Sequence, residues 1–580
     1  MPIGVYIWGY SGRVGSIFLP TRTSHILSNR TPTQTIQFFA GLDGFIFKEI
    51  AMKNQVIRFF SVILLIAVAL VYGGFLWNPI LFDDVYFFGV GARTLENFVS
   101  SFRPLEIRWL PYATIAWTGK YFGLELINFR IEALLLHGVV GIAMFHFLAK
   151  LYKLVFVVPV KQDVMPLYWI AFFSALIFVW HPVAVYAAGY LIQRTIVMAT
   201  LFGLLAMNAY IQGITTNSRR WLGVSVVLYL LAVLCKEHVI MLPAVILALT
   251  VLLSGLIKAP RKTLCWVFAA YFAIALFVIG QKIGLYGKVY EIAAPEMLGE
   301  LNVANPHAMS SVTQSGLFFK YLGLWLLPNP AWMSADMREP FATNIFSPYL
   351  LALLAYLGYG VIAAWLLFQR GRKGLLGLAL LFPWLLFFTE FTTVRIQESF
   401  VLYRSYLWMP GIFIAMPLLI EQLKSRSAII LLLMISVIFA IFSVDRLKTF
   451  SHPLLLWDDA ESLVQNKHNL PGVDRIYNNR GTALTNTKLY REAIADFTVA
   501  IHLQPNNSYY HMGLGAALYN VDDYTAAIVE YSKSVDLDNK NARAYYFRAL
   551  SYEKSGLEKL AKSDFKISCQ LGWESGCKKM

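Results

Sequence analysis

Charge is what this 580-residue chain has least of: 14% of its residues are charged, against 58% hydrophobic. That balance excludes a soluble globular protein and a disordered one, because neither keeps so much apolar surface in water. Cysteine is also scarce, with four in all, which excludes a disulfide-dense scaffold. No cluster with metal-ligand spacing stands out. The first 51 residues contain neither a spanning run nor a signal peptide with a cleavage site. Met52, followed by Lys53, Asn54, Gln55 and an apolar run, makes an ordinary membrane-protein start, so residues 1–51 read as an upstream extension.

What fills the chain instead is apolar runs. A span needs about 17–25 residues, and runs of that kind lie near 56–77, 127–148, 167–187, 195–212, 221–236, 239–257, 264–283, 348–368, 374–390, 406–421 and 427–444. Basic clusters assign their sides. Lys53 and Arg58 precede the first run. The others follow even-numbered runs: Lys150, Lys153 and Lys161; Arg219 and Arg220; Lys258, Arg261 and Lys262; Arg370, Arg372 and Lys373; Lys424 and Arg426. The pattern predicts an all-α membrane domain over 52–446 with about eleven crossings. Its amino end is cytoplasmic, and its first external loop covers 78–126. Gly316–Leu327, bounded by Lys320 and Pro328, reads as a helix at the interface rather than a crossing.

Past a linker at 447–473, the stretch 474–580 repeats itself every 34 residues. Gly481, Gly515 and Ala549 fall at one position, Ala493, Ala527 and Ala561 at another, Phe497, Tyr531 and Phe565 at a third, and Leu503, Leu537 and Leu571 at a fourth. Small residues let two antiparallel helices approach, and the aromatics fill the gap to the next pair. This is the tetratricopeptide pattern, an α-solenoid of about three repeats, with Pro505 closing the first and a more polar third unit suited to a cap. It identifies a binding scaffold and no chemistry. The formal charge of +15 does not signal nucleic acid, because this region carries 14 basic and 12 acidic residues; the excess lies in the membrane part. Cys569 and Cys577, eight apart, are spaced as in some secreted helical repeats whose cysteines pair; the alternative is two free thiols.

Candidate chemistry sits at the external ends of the runs. Asp83 and Asp84 follow the first; two adjacent carboxylates oppose each other's ionisation, so one is suited to abstract a proton. The competing reading is a pair of solvated loop acids. The same loop continues with Arg103-Pro104-Leu105. His137 lies inside the second run, and His181-Pro182-Val183 ends the third, followed by Gln193-Arg194. Lys236-Glu237 ends the fifth. Lys320-Tyr321-Leu322 precedes Pro328, and Glu398, Arg404, Tyr406 and Leu407 come late. Each has a plainer reading: Lys236 and Arg194 snorkelling to headgroups, His181 capping its span, His137 bonding a neighbouring helix, and Glu398 pairing with Arg404.

In this order, with tetratricopeptide repeats behind them, these motifs resemble the transmembrane and tetratricopeptide-repeat O-mannosyltransferases, within the C-type glycosyltransferases that use lipid-phosphate sugars. Two positions depart from that pattern: Lys320 stands where an arginine is usual, and Ala184 follows Val183 where a polar residue is frequent. The resemblance implies an inverting membrane enzyme that moves a mannosyl-type sugar from a polyprenyl-phosphate donor to a hydroxyl of a protein or glycan acceptor, on the external face of a bacterial cytoplasmic membrane. The repeats recruit the acceptor. It casts Asp83 or Asp84 as general base and Arg103, His181, Arg194, Lys236, Glu237, Tyr321 and Arg404 as the donor-phosphate and substrate site. Asp83 and Asp84 also leave room for Mg or Mn. Two other classes fit the architecture: a non-catalytic envelope scaffold, and an oligosaccharide ligase or polymerase, although such enzymes place functional Arg and His in a large late loop that is short here.

Overall fold

Apolar runs in lipid have to satisfy their own backbone groups, so they fold as helices. The computed structural model describes residues 55–82, 84, 104–156, 165–281, 297–299, 301–303, 305–346 and 348–579. Asp83, Arg103 and the 1–51 segment lie outside the described residues. Among those residues the elements are helical, apart from one antiparallel bridge between Met337 and Phe400.

In chain order the body comprises α1 (Gln55–Trp77), α2 (Trp109–Phe122), α3 (Leu126–Phe156), α4 (Met165–Val179), α5 (Pro182–Ala188), α6 (Leu191–Thr216), α7 (Arg219–Cys235), α8 (Glu237–Leu252), α9 (Arg261–Gln281), α10 (Pro306–Leu326), α11 (Tyr349–Phe368), α12 (Gly371–Phe391), α13 (Met409–Ile420) and α14 (Ser425–Thr449). Seven of them, α1, α3, α6, α9, α11, α12 and α14, are long and apolar enough to cross a membrane. The bent pair α4–α5 makes up to eight. The expected eleven runs include shorter segments that are not among these long helices, and the reason is local. The 167–187 run bends by 52° at His181-Pro182, where the proline cannot continue the hydrogen-bond ladder. The 221–236 and 239–257 runs are cut apart by Lys236 in extended conformation, φ −156° and ψ 125°. The 406–421 run keeps a short helix next to 3-10 turns around Pro410. The 316–327 segment belongs to α10, which is 21 residues long and carries buried Ser310, Thr313, Gln314 and Ser315; it is not among the spans.

Beyond α14 the stretch expected as a linker carries a helix of its own, α15 (Pro453–Val464). Three helical hairpins follow: α16 (Val473–Asn486) with α17 (Tyr490–Leu503), α18 (Ser508–Asn520) with α19 (Tyr524–Leu537), and α20 (Ala542–Lys554) with α21 (Glu558–Gln570). The repeat positions behave as their sizes predict. A Cβ on Gly481 or Gly515 would press on the ring of Phe497 or Tyr531, and Ala493, Ala527, Ala561, Phe497, Tyr531 and Phe565 are buried. Cys569 and Cys577 form a disulfide. Backbone contacts divide the chain into two units, Met1–Ile63 and Leu64–Met580; the second holds the helical body from Leu64 onward and the repeats.

Candidate functional site

The start of α6 brings the turn after α1 to the body. A helix start leaves backbone N–H groups without partners, and here the N–H groups of Leu191 and Ile192 donate to the two oxygens of Asp84, at 2.9 and 2.8 Å. Asp84 is 3% exposed. With both oxygens engaged and almost no accessible surface, it anchors the turn to the start of α6. Phe82, two residues before it, has φ 58°, a left-handed conformation that is uncommon for a bulky side chain.

Arg194, one turn into α6, bridges back to α3. Its guanidinium pairs with Glu132 at 3.0 Å and donates to the Thr114 hydroxyl at 3.2 Å, while Thr118 donates to the same Glu132. It locks α2, α3 and α6 together, as a structural ion pair would. His181 is a cap. Its Nδ1 accepts from the Val183 N–H at 3.2 Å, its Nε2 reaches the Trp325 carbonyl at 3.0 Å, and its ring stacks on Trp325 with centroids 4.1 Å apart. His137 bonds the Tyr406 hydroxyl and the Val179 carbonyl between helices. The Tyr321 hydroxyl donates to the Val401 carbonyl and accepts from the Val401 N–H, pinning the 400–401 segment onto α10.

A second group converges where α7 ends, α8 begins and α12 ends. Arg108 clamps Glu237 through two donors. His238 Nε2 lies 2.6 Å from Glu390, which is 1% exposed and also holds Arg404 at 3.1 Å and Arg395 at 3.5 Å. Arg404 reaches Glu398 at 3.3 Å as well. Burial works against the charge on Arg404, and Glu390, Tyr403 and Glu398 outweigh it, so its pKa stands above the ordinary arginine value.

Lys236 is the exception in this group. It is 7% exposed, its ammonium lies 5.9 Å from the centre of the Tyr403 ring, and among the described residues it makes no ion pair. Burial, reinforced by Arg108, Arg404 and Arg395 and opposed by Glu237, pushes its pKa down to about 7. Four cations, Arg108, Lys236, Arg395 and Arg404, thus meet three carboxylates, Glu237, Glu390 and Glu398. Burying charge in such a place is expensive.

Aromatic rings connect the two groups. Phe82 packs on Tyr190, Tyr190 on Tyr403, and Tyr403 lies beside Lys236. A cavity in this bridge is lined by Phe82, Tyr190, Asp336, Glu398, Phe400 and Tyr403. Behind the cation cluster a second, apolar cavity of about 610 Å³ lies between α8, α9 and α12; Met241, Leu247, Phe272, Ile279 and Phe388 line it, and Thr389 and Thr392 flank Glu390 at its rim.

Relatives of known name share this plan. A profile of the tetratricopeptide repeat matches residues 474–507. The Protein O-mannosyl-transferase TMTC3 of Homo sapiens is 23% identical over 401 residues, 63% of this chain and 42% of the relative. Its Mus musculus counterpart is 24% identical over 389 residues, 62% and 41%. The Drosophila melanogaster Tmtc3 is 22% identical over 490 residues, 77% and 53%. The chain is similar to the tetratricopeptide-repeat O-mannosyltransferases. It spans about half the length of these curated relatives. Among solved structures, the Arabidopsis OM64 tetratricopeptide domain aligns with 18% of this chain and 92% of its own length at 24% identity, with a TM-score of 0.18, too low to bear on the fold.

Of the residues singled out by sequence, Lys236, Glu237 and Arg404 come together. Asp84 and Arg194 neighbour each other at the start of α6, and His181 and Tyr321 support the packing behind them. Sequence reasoning passed over Arg108, His238, Glu390 and Arg395, and also Arg130, which lies within electrostatic reach of Asp84, stacks over Phe75 and donates to the Pro79 carbonyl. An isolated carboxylate near the end of an apolar run, as Glu390 is, was the available signal.

Proposed function

We propose that this protein is a membrane glycosyltransferase whose donor is a polyprenyl-phosphate sugar and whose acceptor is a hydroxyl of a protein, with transfer on the external face of a bacterial cytoplasmic membrane. The observation that carries the reading is Lys236, buried, without an ion pair among the described residues, and set beside Arg108, Arg404 and Arg395. A sugar phosphodiester carries one negative charge, the counterpart that a buried ammonium calls for. The apolar cavity behind it suits an isoprenoid chain, and its rim adjoins Glu390.

In this reading Lys236 holds the donor phosphate from the inside, and Arg404 and Arg108, each kept in place by a carboxylate, shape the rim. Arginine forks are suited to phosphate oxygens. The acceptor oxygen attacks the anomeric carbon, the bond from that carbon to the phosphate oxygen breaks with its electron pair going to the phosphate, and the configuration inverts. The developing phosphate charge is met by fixed cations. Asp83 takes the hydroxyl proton, because Asp84 is committed to the start of α6. A divalent ion at this turn would be held chiefly through Asp83, because both Asp84 oxygens accept N–H groups at the start of α6. No step above runs through a metal.

Sidedness has two supports. The Cys569–Cys577 disulfide suits an oxidising compartment. The first repeat touches the same end of the body as the cation cluster, through Arg475 and Glu398 at 3.6 Å. The deciding experiment supplies a polyprenyl-phosphate mannose to the full-length protein in vesicles and measures transfer to a Ser- or Thr-containing peptide. Lys236→Met is expected to lose about a hundredfold or more in turnover, and Asp83→Asn to be similarly impaired. Wild-type turnover in both variants would remove the roles given to Lys236 and Asp83, and a wild type without transfer would leave a scaffold role as the better reading.

A further inference from the structure

Tetratricopeptide arrays usually hang from the proteins that carry them by a free-moving connection. Here the first repeat is built into the mouth of the site. Arg475, in the first turn of α16, reaches Asp336 at 3.5 Å and Glu398 at 3.6 Å, and its guanidinium lies 5.3 Å from the centre of the Phe82 ring. Asp336, Glu398 and Phe82 all line the cavity between the acid-bearing turn and the cation cluster. Phe82 is also stacked against Trp457 of α15, with centroids 5.4 Å apart. The residue that holds the left-handed turn before Asp83 is therefore gripped by two side chains from beyond the body.

The approach is close along the whole junction. Gly472, immediately before α16, has φ +78°, and a Cβ there would run into the guanidinium of Arg338. Arg338 pairs with Asp336 and donates to the Gln397 carbonyl, one residue before Glu398. The bridge between Met337 and Phe400 fastens the same two segments. Glu398 holds Arg404, and Arg404 holds Glu390. On the repeat side, the Tyr510 hydroxyl of α18 donates to Asp474 at 2.6 Å, beside Arg475. A continuous chain of contacts runs from the second repeat to the cation cluster.

We infer that Arg475 is a positioning residue of the transfer site: the first repeat forms one wall of that site, and Arg475 holds the Phe82 turn and the Glu398–Arg404 pair in register for an acceptor delivered by the repeats. This rests on the transferase reading for its substrate, and on the geometry alone for the latch. Without Arg475, Glu398 loses a cation, and the Phe82 turn loses the guanidinium against its ring. Misplacement of about 1 Å suffices to slow a reaction a hundredfold.

The test uses the full-length protein in vesicles with polyprenyl-phosphate mannose and a Ser- or Thr-containing peptide. Arg475→Ala is expected to lower turnover about tenfold with donor KM moved less than about twofold; Arg475→Lys restores part of it, and the exposed Lys566→Ala on α21 has no effect. Because Glu398 is the shared partner, the losses from Arg475→Ala and Glu398→Gln are expected to be less than multiplicative. A second readout needs no activity: protease cleavage in the 465–472 turn, releasing the repeats, is expected to be several-fold faster in Arg475→Ala than in wild type. Full turnover in Arg475→Ala, or fully multiplicative losses, would overturn the positioning role. A wild type without sugar transfer sinks the transferase reading instead; the latch then stands if cleavage is accelerated and falls if it is not.

Discussion

The ion pairs of the repeats and those of the membrane body are made from the same residue types and obey different rules. In the first repeat Arg480 forks onto Asp496, and in the third Arg548 forks onto Asp564, each pair 16 residues apart and built from one hairpin. The second repeat has Leu514 at the arginine position, and its Glu530 pairs with His511 and Lys533 instead. In the body, Glu390 gathers His238, Arg395 and Arg404 from three segments, and Arg108 meets Glu237 across 129 residues of chain. A repeat pair joins the two helices of its own hairpin; Glu390 in the body is a shared centre whose loss strands several buried charges. The first kind is replaceable, as the second repeat demonstrates. The second kind is not, because each partner satisfies more than one neighbour.

Breaking the shared centre gives the largest expected effect. Glu390→Gln leaves His238, Arg395 and Arg404 facing a neutral amide in an apolar setting, and a loss of about 3–5 kcal/mol is expected, read as a fall in the thermal midpoint of the protein in detergent. A fall no larger than that of a repeat variant would erase the contrast drawn above. Next comes pH. The Lys236 ammonium is charged below about 7 and loses its proton above it, so its attraction for a donor phosphate weakens as pH rises through neutrality. The donor KM is expected to increase over that range, and Lys236→Arg, which stays charged, to flatten the profile. The smallest effect belongs to the repeats. Arg480→Ala is expected to cost about 1–2 kcal/mol, because the Arg480 side chain is itself 18% exposed and its removal lets water reach the buried Asp496 and Glu461. Donor KM in that variant should stay at the wild-type value, which a direct kinetic comparison checks.

The repeats were legible in the sequence because their contacts are local: a 34-residue period with small residues and aromatics at fixed offsets implies helix pairs, and the pairs are there. The long spans were legible for a similar reason, since length and apolarity are properties of one segment. What the runs did not reveal is where a polar residue or a proline breaks them, at Lys236 and at His181-Pro182, because a window of hydropathy does not register a break in the backbone. Within the site, Lys236, Glu237 and Arg404 were recognisable as polar residues at the ends of apolar runs. Asp84 was recognised as a polar residue of the site, but its helix-anchoring contacts were not. Its identity was visible; the two N–H groups that occupy it come from a helix 107 residues further on.

The sequence by itself determined a helical membrane protein with a tetratricopeptide tail, and it pointed to the end of the body where polar residues gather. Only the tertiary structure decided which carboxylates are committed to cations or helix starts, that Lys236 is a buried cation without an ion pair among the described residues, and that Arg475 of the first repeat reaches into the site. The physical reason is that periodicity and hydropathy are sums over neighbours in the chain, whereas the state of a buried charge depends on which distant helix ends come to rest against it.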